Sequence, residues 1–72
     1  MFNFGEHLKQ IRKSKGITQK QLGLDIGASE RGIQNYELGE RLPNFETIIA
    51  LCQYFQISSD YLLGLSDDPT PR

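Results

Sequence analysis

The chain has one cysteine, Cys52, so it cannot close an internal disulfide. Such sparing use of cysteine suits a reducing compartment. No stretch approaches the ~20 consecutive apolar residues of a membrane-spanning helix. The opening "MFNFGEHLK" lacks the basic start and apolar run of a signal peptide. The expected address is therefore the cytoplasm, with no membrane partner. The single histidine, His7, has no cysteine or carboxylate at ligand spacing, and it reads as a surface residue. No Gly-rich phosphate loop, dinucleotide fingerprint or His/Cys cluster is present. A 72-residue helical chain also has little room for a concave pocket. The expectation is a protein without metal, cofactor or catalytic activity. Below about 70–80 residues a core contributes only a few kcal/mol, so the fold must be well specified locally.

What the chain does have is a split in charge. The formal net charge is −1 and the pI is about 5.7. Residues 1–31 nevertheless carry six basic side chains against three acidic ones, and residues 32–72 carry two against six. The first half can present a local face to an anion even though the whole chain is slightly acidic.

The chain is also closely punctuated. Asn3 precedes Phe4 with Glu6 three residues on, an Asn form of the capping box. Phe4, Leu8 and Ile11 then share one helical face. Gly16 ends this helix. Thr18 opens a second helix, Gln21 completes another capping box, and Leu22 and Ile26 form its buried face. Ser29 caps a third helix that stops at Gly39. Pro43-Asn44 starts a fourth, with Phe45, Ile48, Leu51, Cys52 and Phe55 inward; Cys52 reads there as a small buried hydrophobe. Ser58 caps a short fifth helix stopped by Gly64. The fold class is all-α, with five short helices around one core. Residues 1–65 are expected to form the domain, and 66–72, "SDDPTPR", a flexible tail or the start of a linker.

In the segment "DIGASERGIQNYELG" an amphipathic pattern stops at Gly27 and restarts at once. Glycine takes positive φ at low cost. Ser29 can satisfy the free N–H groups of a new helix directly after the turn. Two short helices joined by a three- or four-residue turn containing Gly make a helix-turn-helix unit. An αα-hairpin that only packs would carry the same punctuation.

The stretch from Phe4 to Gly64 resembles the phage repressor/Cro-type helix-turn-helix family, over about 61 of the 72 residues. The likeness rests on an ordered set: Arg12, the run Gly16-Ile17-Thr18-Gln19, Gly27, Ile33, Glu37, Gly39 and Pro43. It implies a compact domain whose third helix lies in the DNA major groove, with the start of the second helix facing phosphate. It also implies that Gln19 contacts phosphate and braces helix three, and that Arg12 and Glu37 form a largely buried ion pair.

The residues themselves agree with that docking. Ile33, Tyr36 and Glu37 share one face of helix three, and the other carries Glu30, Arg31, Gln34 and Asn35. Arginine, glutamine and asparagine pair well with guanine and adenine edges, and glutamate can accept from cytosine N4. Phosphate contacts are expected from Thr18, Gln19, Lys20, Ser29, Arg41 and Asn44. Gly32 departs from the family pattern: glycine inside a helix costs up to about 1 kcal/mol relative to alanine. It either admits a close backbone approach or weakens the helix. The expected partner is a double-stranded DNA operator, palindromic and bound by a homodimer that uses Ile49, Tyr54, Tyr61 and Leu65. The expected activity is transcriptional regulation, as a repressor. The alternatives are the antitoxin of a toxin–antitoxin pair, which would add a protein partner, and an interaction module that has lost DNA binding.

Overall fold

A computed structural model describes residues 1–71. Five helices follow one another: α1 (Phe4–Ser14), α2 (Gln19–Ile26), α3 (Glu30–Leu38), α4 (Phe45–Phe55) and α5 (Ser59–Leu62). Their starts are where the side-chain chemistry puts them. Asn3 Oδ1 accepts from Glu6 N at 3.0 Å, Thr18 Oγ1 from Gln21 N at 3.0 Å and Ser29 Oγ from Gly32 N at 3.0 Å. Asn44 Oδ1 accepts from Thr47 N at 2.8 Å, and Ser58 Oγ from Tyr61 N at 3.0 Å. Each cap satisfies one amide that the helix itself leaves open.

The second half of the predicted capping boxes does not form. Gln21 turns its amide to Asp25 Oδ1 at 2.7 Å, an i, i+4 pair along α2, instead of reaching back to Thr18.

Leu8, Ile11, Leu22, Ile33, Leu51, Phe55, Ile57 and Leu62 make the core, contributed by all five helices and the α4–α5 connection. Phe4, Ile26, Tyr36, Ile48 and Cys52 pack against it half-buried. Burial pushes the Cys52 thiol above its ordinary value, so the group stays protonated and behaves as an apolar side chain.

Phe45 is a correction to the expected inward stripe of α4, since it is 78% exposed. The helix begins there, and its first turn overhangs the core. His7 is a second correction. It is half-buried, its Nε2 lies 2.9 Å from the carbonyl oxygen of Tyr61, and its ring meets Phe2 and Tyr61 edge-on at 5.3 and 4.9 Å. Residues 66–71 make contacts with the start of α5. Ser58 N donates to the Pro69 carbonyl at 2.9 Å and Ser58 Oγ to that of Asp68 at 3.4 Å, so this segment lies back on the start of α5. Thr70 N donates to Asp68 Oδ1 at 3.0 Å, and hydrogen bonding with Thr70 holds the Asp68 carboxyl below its usual range.

The α2–α3 junction is the part that positions a site. Gly27 caps α2 at φ 76°, and Ala28 and Ser29 complete a three-residue turn. Ala28 N closes onto the Gly23 carbonyl at 2.8 Å. Gly23 itself is pressed against the turn: a Cβ there would come within 2.8 Å of the Ser29 carbonyl carbon. Close backbone contact therefore sets the angle between α2 and α3.

Candidate nucleic-acid interface

Behind α3 lies a buried polar network. Arg12 Nε donates to Glu37 Oε2 at 2.6 Å and Nη2 to Oε1 at 3.1 Å, a two-pronged pair with both residues less than 10% exposed. Arg12 Nη1 donates to the Ile17 carbonyl at 2.9 Å. Gln19 Nε2 donates to Glu37 Oε1 at 3.0 Å. The carboxylate thus joins α1, the α1–α2 connection and the first residue of α2 to α3. Every charge taken out of water has a partner, and among the described residues no buried side-chain polar atom is left without one. The ion pair expected between Arg12 and Glu37 is present.

The outward face of α3 is the reverse. Glu30 and Arg31 are exposed, and Gln34 and Asn35 are half-buried at its edge. Among the described residues none of these four side chains makes a hydrogen bond or ion pair within the chain, so their donors and acceptors face outward unspent. The helix runs nine residues, about 13.5 Å at 1.5 Å per residue. Across its side chains an α-helix measures about 10–12 Å, which fits a major groove about 12 Å wide. Leu38 shares this face, i+4 from Gln34 and i+7 from Arg31, and is 71% exposed. It was absent from the sequence-derived set, although its spacing from Arg31 marks it.

The residues expected at phosphate fall into two groups. Thr18, Ser29 and Asn44 are exposed, and each uses an oxygen lone pair for its own helix cap. The hydroxyl hydrogens of Thr18 and Ser29 and the amide hydrogens of Asn44 remain free to donate outward. Lys20 and Arg41 are exposed cations. Gln19 is half-buried and spends its amide on Glu37, which leaves the backbone N–H groups at the start of α2 to face an anion. The chain after α3 folds over the end of that helix, with Glu40 N and Arg41 N both donating to the Asn35 carbonyl, at 3.0 and 3.3 Å.

Two further features were not legible beforehand. A cleft of about 360 Å³ opens beside the polar network, lined by Glu6, Lys9, Gln19, Gln34, Glu37 and Leu38. An apolar stripe of Leu42, Phe45 and Ile49, 76%, 78% and 40% exposed, runs from the α3–α4 connection along α4. Of the four residues expected at a homodimer surface, Tyr54 is half-buried with its hydroxyl 2.6 Å from Asp25 Oδ2, and Tyr61 is half-buried edge-on to His7. Only Ile49 and Leu65 are open.

The geometry has close counterparts. A family model described as "Helix-turn-helix" matches residues 8–62. An uncharacterized HTH-type transcriptional regulator, YobD of Bacillus subtilis, is 34% identical over 67 residues, 93% of this chain and 60% of that protein. Repressor protein C2 of Salmonella phage P22 is 41% identical over 59 residues, 82% of this chain and 27% of the repressor. A crystal structure of that P22 c2 repressor with a synthetic operator superposes with a TM-score of 0.85 at 36% identity, covering 92% of this chain and all of the other. The chain spans between about half and 60% of the length of the first curated relatives it matches.

Proposed function

Because the chain belongs to this helix-turn-helix family, we propose that it is a sequence-specific double-stranded DNA-binding module of a transcriptional regulator, acting as a repressor. One observation carries the reading. The face of α3 away from the core holds Arg31, Gln34 and Asn35 with no partner among the described residues, while Arg12, Gln19 and Glu37 brace the same helix from behind. A helix held rigidly, with its hydrogen-bonding groups unspent, is what direct reading of base edges requires.

In this reading α3 enters the major groove. Arg31 pairs with guanine, Asn35 and Gln34 with adenine, and Glu30 accepts from cytosine or excludes other bases. Thr18, Lys20, Ser29, Arg41, Asn44 and the first amides of α2, where Gln19 sits, hold phosphates of the two strands and set the register. The role is one of binding, with no catalytic step.

A single unit of this size offers a small DNA contact, so two copies are needed for tight binding. Leu42, Phe45 and Ile49 supply the surface for a second copy. The stripe is continuous with the end of α3, so pairing across it sets two recognition helices side by side. It is bordered by Glu40, Arg41 and Glu46, which have no ion partner among the described residues. Under two-fold symmetry residue i of one copy meets residue j of the other and j meets i, so Arg41 of each copy can face Glu40 or Glu46 of its partner. The expected operator is a palindrome with half-sites about 34–36 Å apart.

Selection of bound duplexes from a randomised library, followed by titration of the selected duplex at several salt concentrations, tests the reading. An enriched palindrome and a steep log–log salt slope are expected. No duplex binding at low salt would overturn it in favour of an interaction module.

A further inference from the structure

Six of the seven glycines have a reason inside the chain. Gly16, Gly27, Gly39 and Gly64 have φ between 70° and 78°, where other residues are strained. Gly5 lies against the carbonyls of Tyr36 and Glu37, and Gly23 against the backbone of Ser29, with no space for a Cβ.

Gly32 has neither reason. It is the third residue of α3 and keeps an ordinary helical φ. A Cβ there would meet only Ser29 Oγ, at 3.3 Å. That oxygen does not exclude a side chain, because every other helix of the chain carries one at the same position relative to its cap. Glu6 follows Asn3 by three residues, Gln21 follows Thr18, Thr47 follows Asn44 and Tyr61 follows Ser58, and each donates its amide to the capping oxygen as Gly32 does. The glycine therefore weakens a nine-residue helix without any return inside the fold.

The position of Gly32 suggests where the return lies. It is half-exposed, adjacent to Arg31 and one turn before Asn35, so its bare backbone borders the outward face of α3. We infer that Gly32 is a contact and specificity position for DNA: the missing side chain lets one wall of the major groove approach the helix backbone closely, so that Arg31 and Asn35 reach base edges. The nearest group on such a wall is a deoxyribose, which packs against the glycine Cα. This rests on the DNA-binding reading above and adds to it a requirement for the absence of a side chain.

Gly32→Ala and Gly32→Gln give the test, because fold and binding are expected to move in opposite directions. Both residues favour a helix over glycine, so the melting temperature of each variant rises, by up to about 4–8 °C for a domain of this size. Affinity for the duplex selected by the unaltered protein falls about tenfold for Gly32→Ala, and further for the longer Gln. A melting temperature that falls would reveal an internal need for glycine and overturn the inference. So would stabilised variants that bind the selected duplex as tightly as the parent. If the parent itself binds no duplex at low salt, the DNA-binding reading fails first, and that outcome is read before any variant is made.

Discussion

Gln19 Nε2 donates to Glu37 Oε1 at 3.0 Å, and through that bond the first residue of α2 is fastened to the core side of α3 near its C-terminal end. The same oxygen accepts from Arg12 Nη2 at 3.1 Å, so one carboxylate sets the position of two helices against a third. Its value lies in geometry, since a buried pair need not add net stability over an apolar replacement.

Removing one member of that network is a different matter. Glu37→Ala leaves Arg12 buried and unpaired and Gln19 without its acceptor. The expected loss is about 3–5 kcal/mol, a large share of what so small a domain has. The melting temperature should drop steeply, with DNA binding lost through unfolding. Thermal denaturation followed by circular dichroism measures it, and an unchanged midpoint would show that the network does not hold the fold.

Arg31 and Lys20 should separate base reading from phosphate holding. Arg31→Ala is expected to cost about 1–3 kcal/mol on the selected duplex and to relax the preference at one base pair. Lys20→Ala should weaken all duplexes alike and reduce the salt slope by about one. Repeating the library selection with each variant distinguishes them. A selected site left intact by Arg31→Ala would mean that α3 does not dock through this face.

Phe45 is the centre of the exposed stripe, 78% open in the single chain. Phe45→Glu should leave the melting temperature close to that of the parent, because the side chain contributes nothing to the core. It should also prevent pairing, so that one copy per palindromic duplex is bound where the parent binds two. Sedimentation of the protein–duplex complex reads the stoichiometry. Two copies of the variant on one duplex would place the dimer surface elsewhere.

Tyr54 gives a pH signature. Its hydrogen bond to Asp25 pushes the hydroxyl above the ordinary tyrosine value, with desolvation and the Asp25 charge adding in the same direction. The folded chain therefore holds this proton more tightly than the unfolded chain does. The stabilisation is fully present below the ordinary tyrosine value, about 10, and is lost as pH rises through the folded value. An ultraviolet phenolate titration should show a late step from Tyr54. Tyr54→Phe should remove that step and no other. A late step that persists in the variant belongs to another tyrosine.

Much of this was legible along the chain because it is local. The five N-caps lie within three residues of the amides they satisfy, and the glycine stops need only their own backbone torsions. The core face of α3 follows from Ile33, Tyr36 and Glu37 at helical spacing, and the Arg12–Glu37 pair from a family resemblance rather than from spacing.

What the chain could not declare is which element reaches how far. The period of α4 places Phe45 on the inward stripe, but how far the helix overhangs depends on where the other helices end. His7 has a surface pattern, yet Phe2 and Tyr61 close over it from opposite ends of the sequence. Gln21 has the right offset to accept from the Thr18 N–H in a capping box, but its side chain instead donates to Asp25 one turn on. Gly32 stands in the sequence as an ambiguity, and only the packing around the other six glycines leaves it without an internal cause. Periodicity and caps act over one helical turn, so the sequence determined the helices, their inward faces and the turn that joins α2 to α3. Burial depends on distances between residues far apart in the chain, so the exposed stripe, the braced back of α3 and its unspent front were decided by tertiary packing.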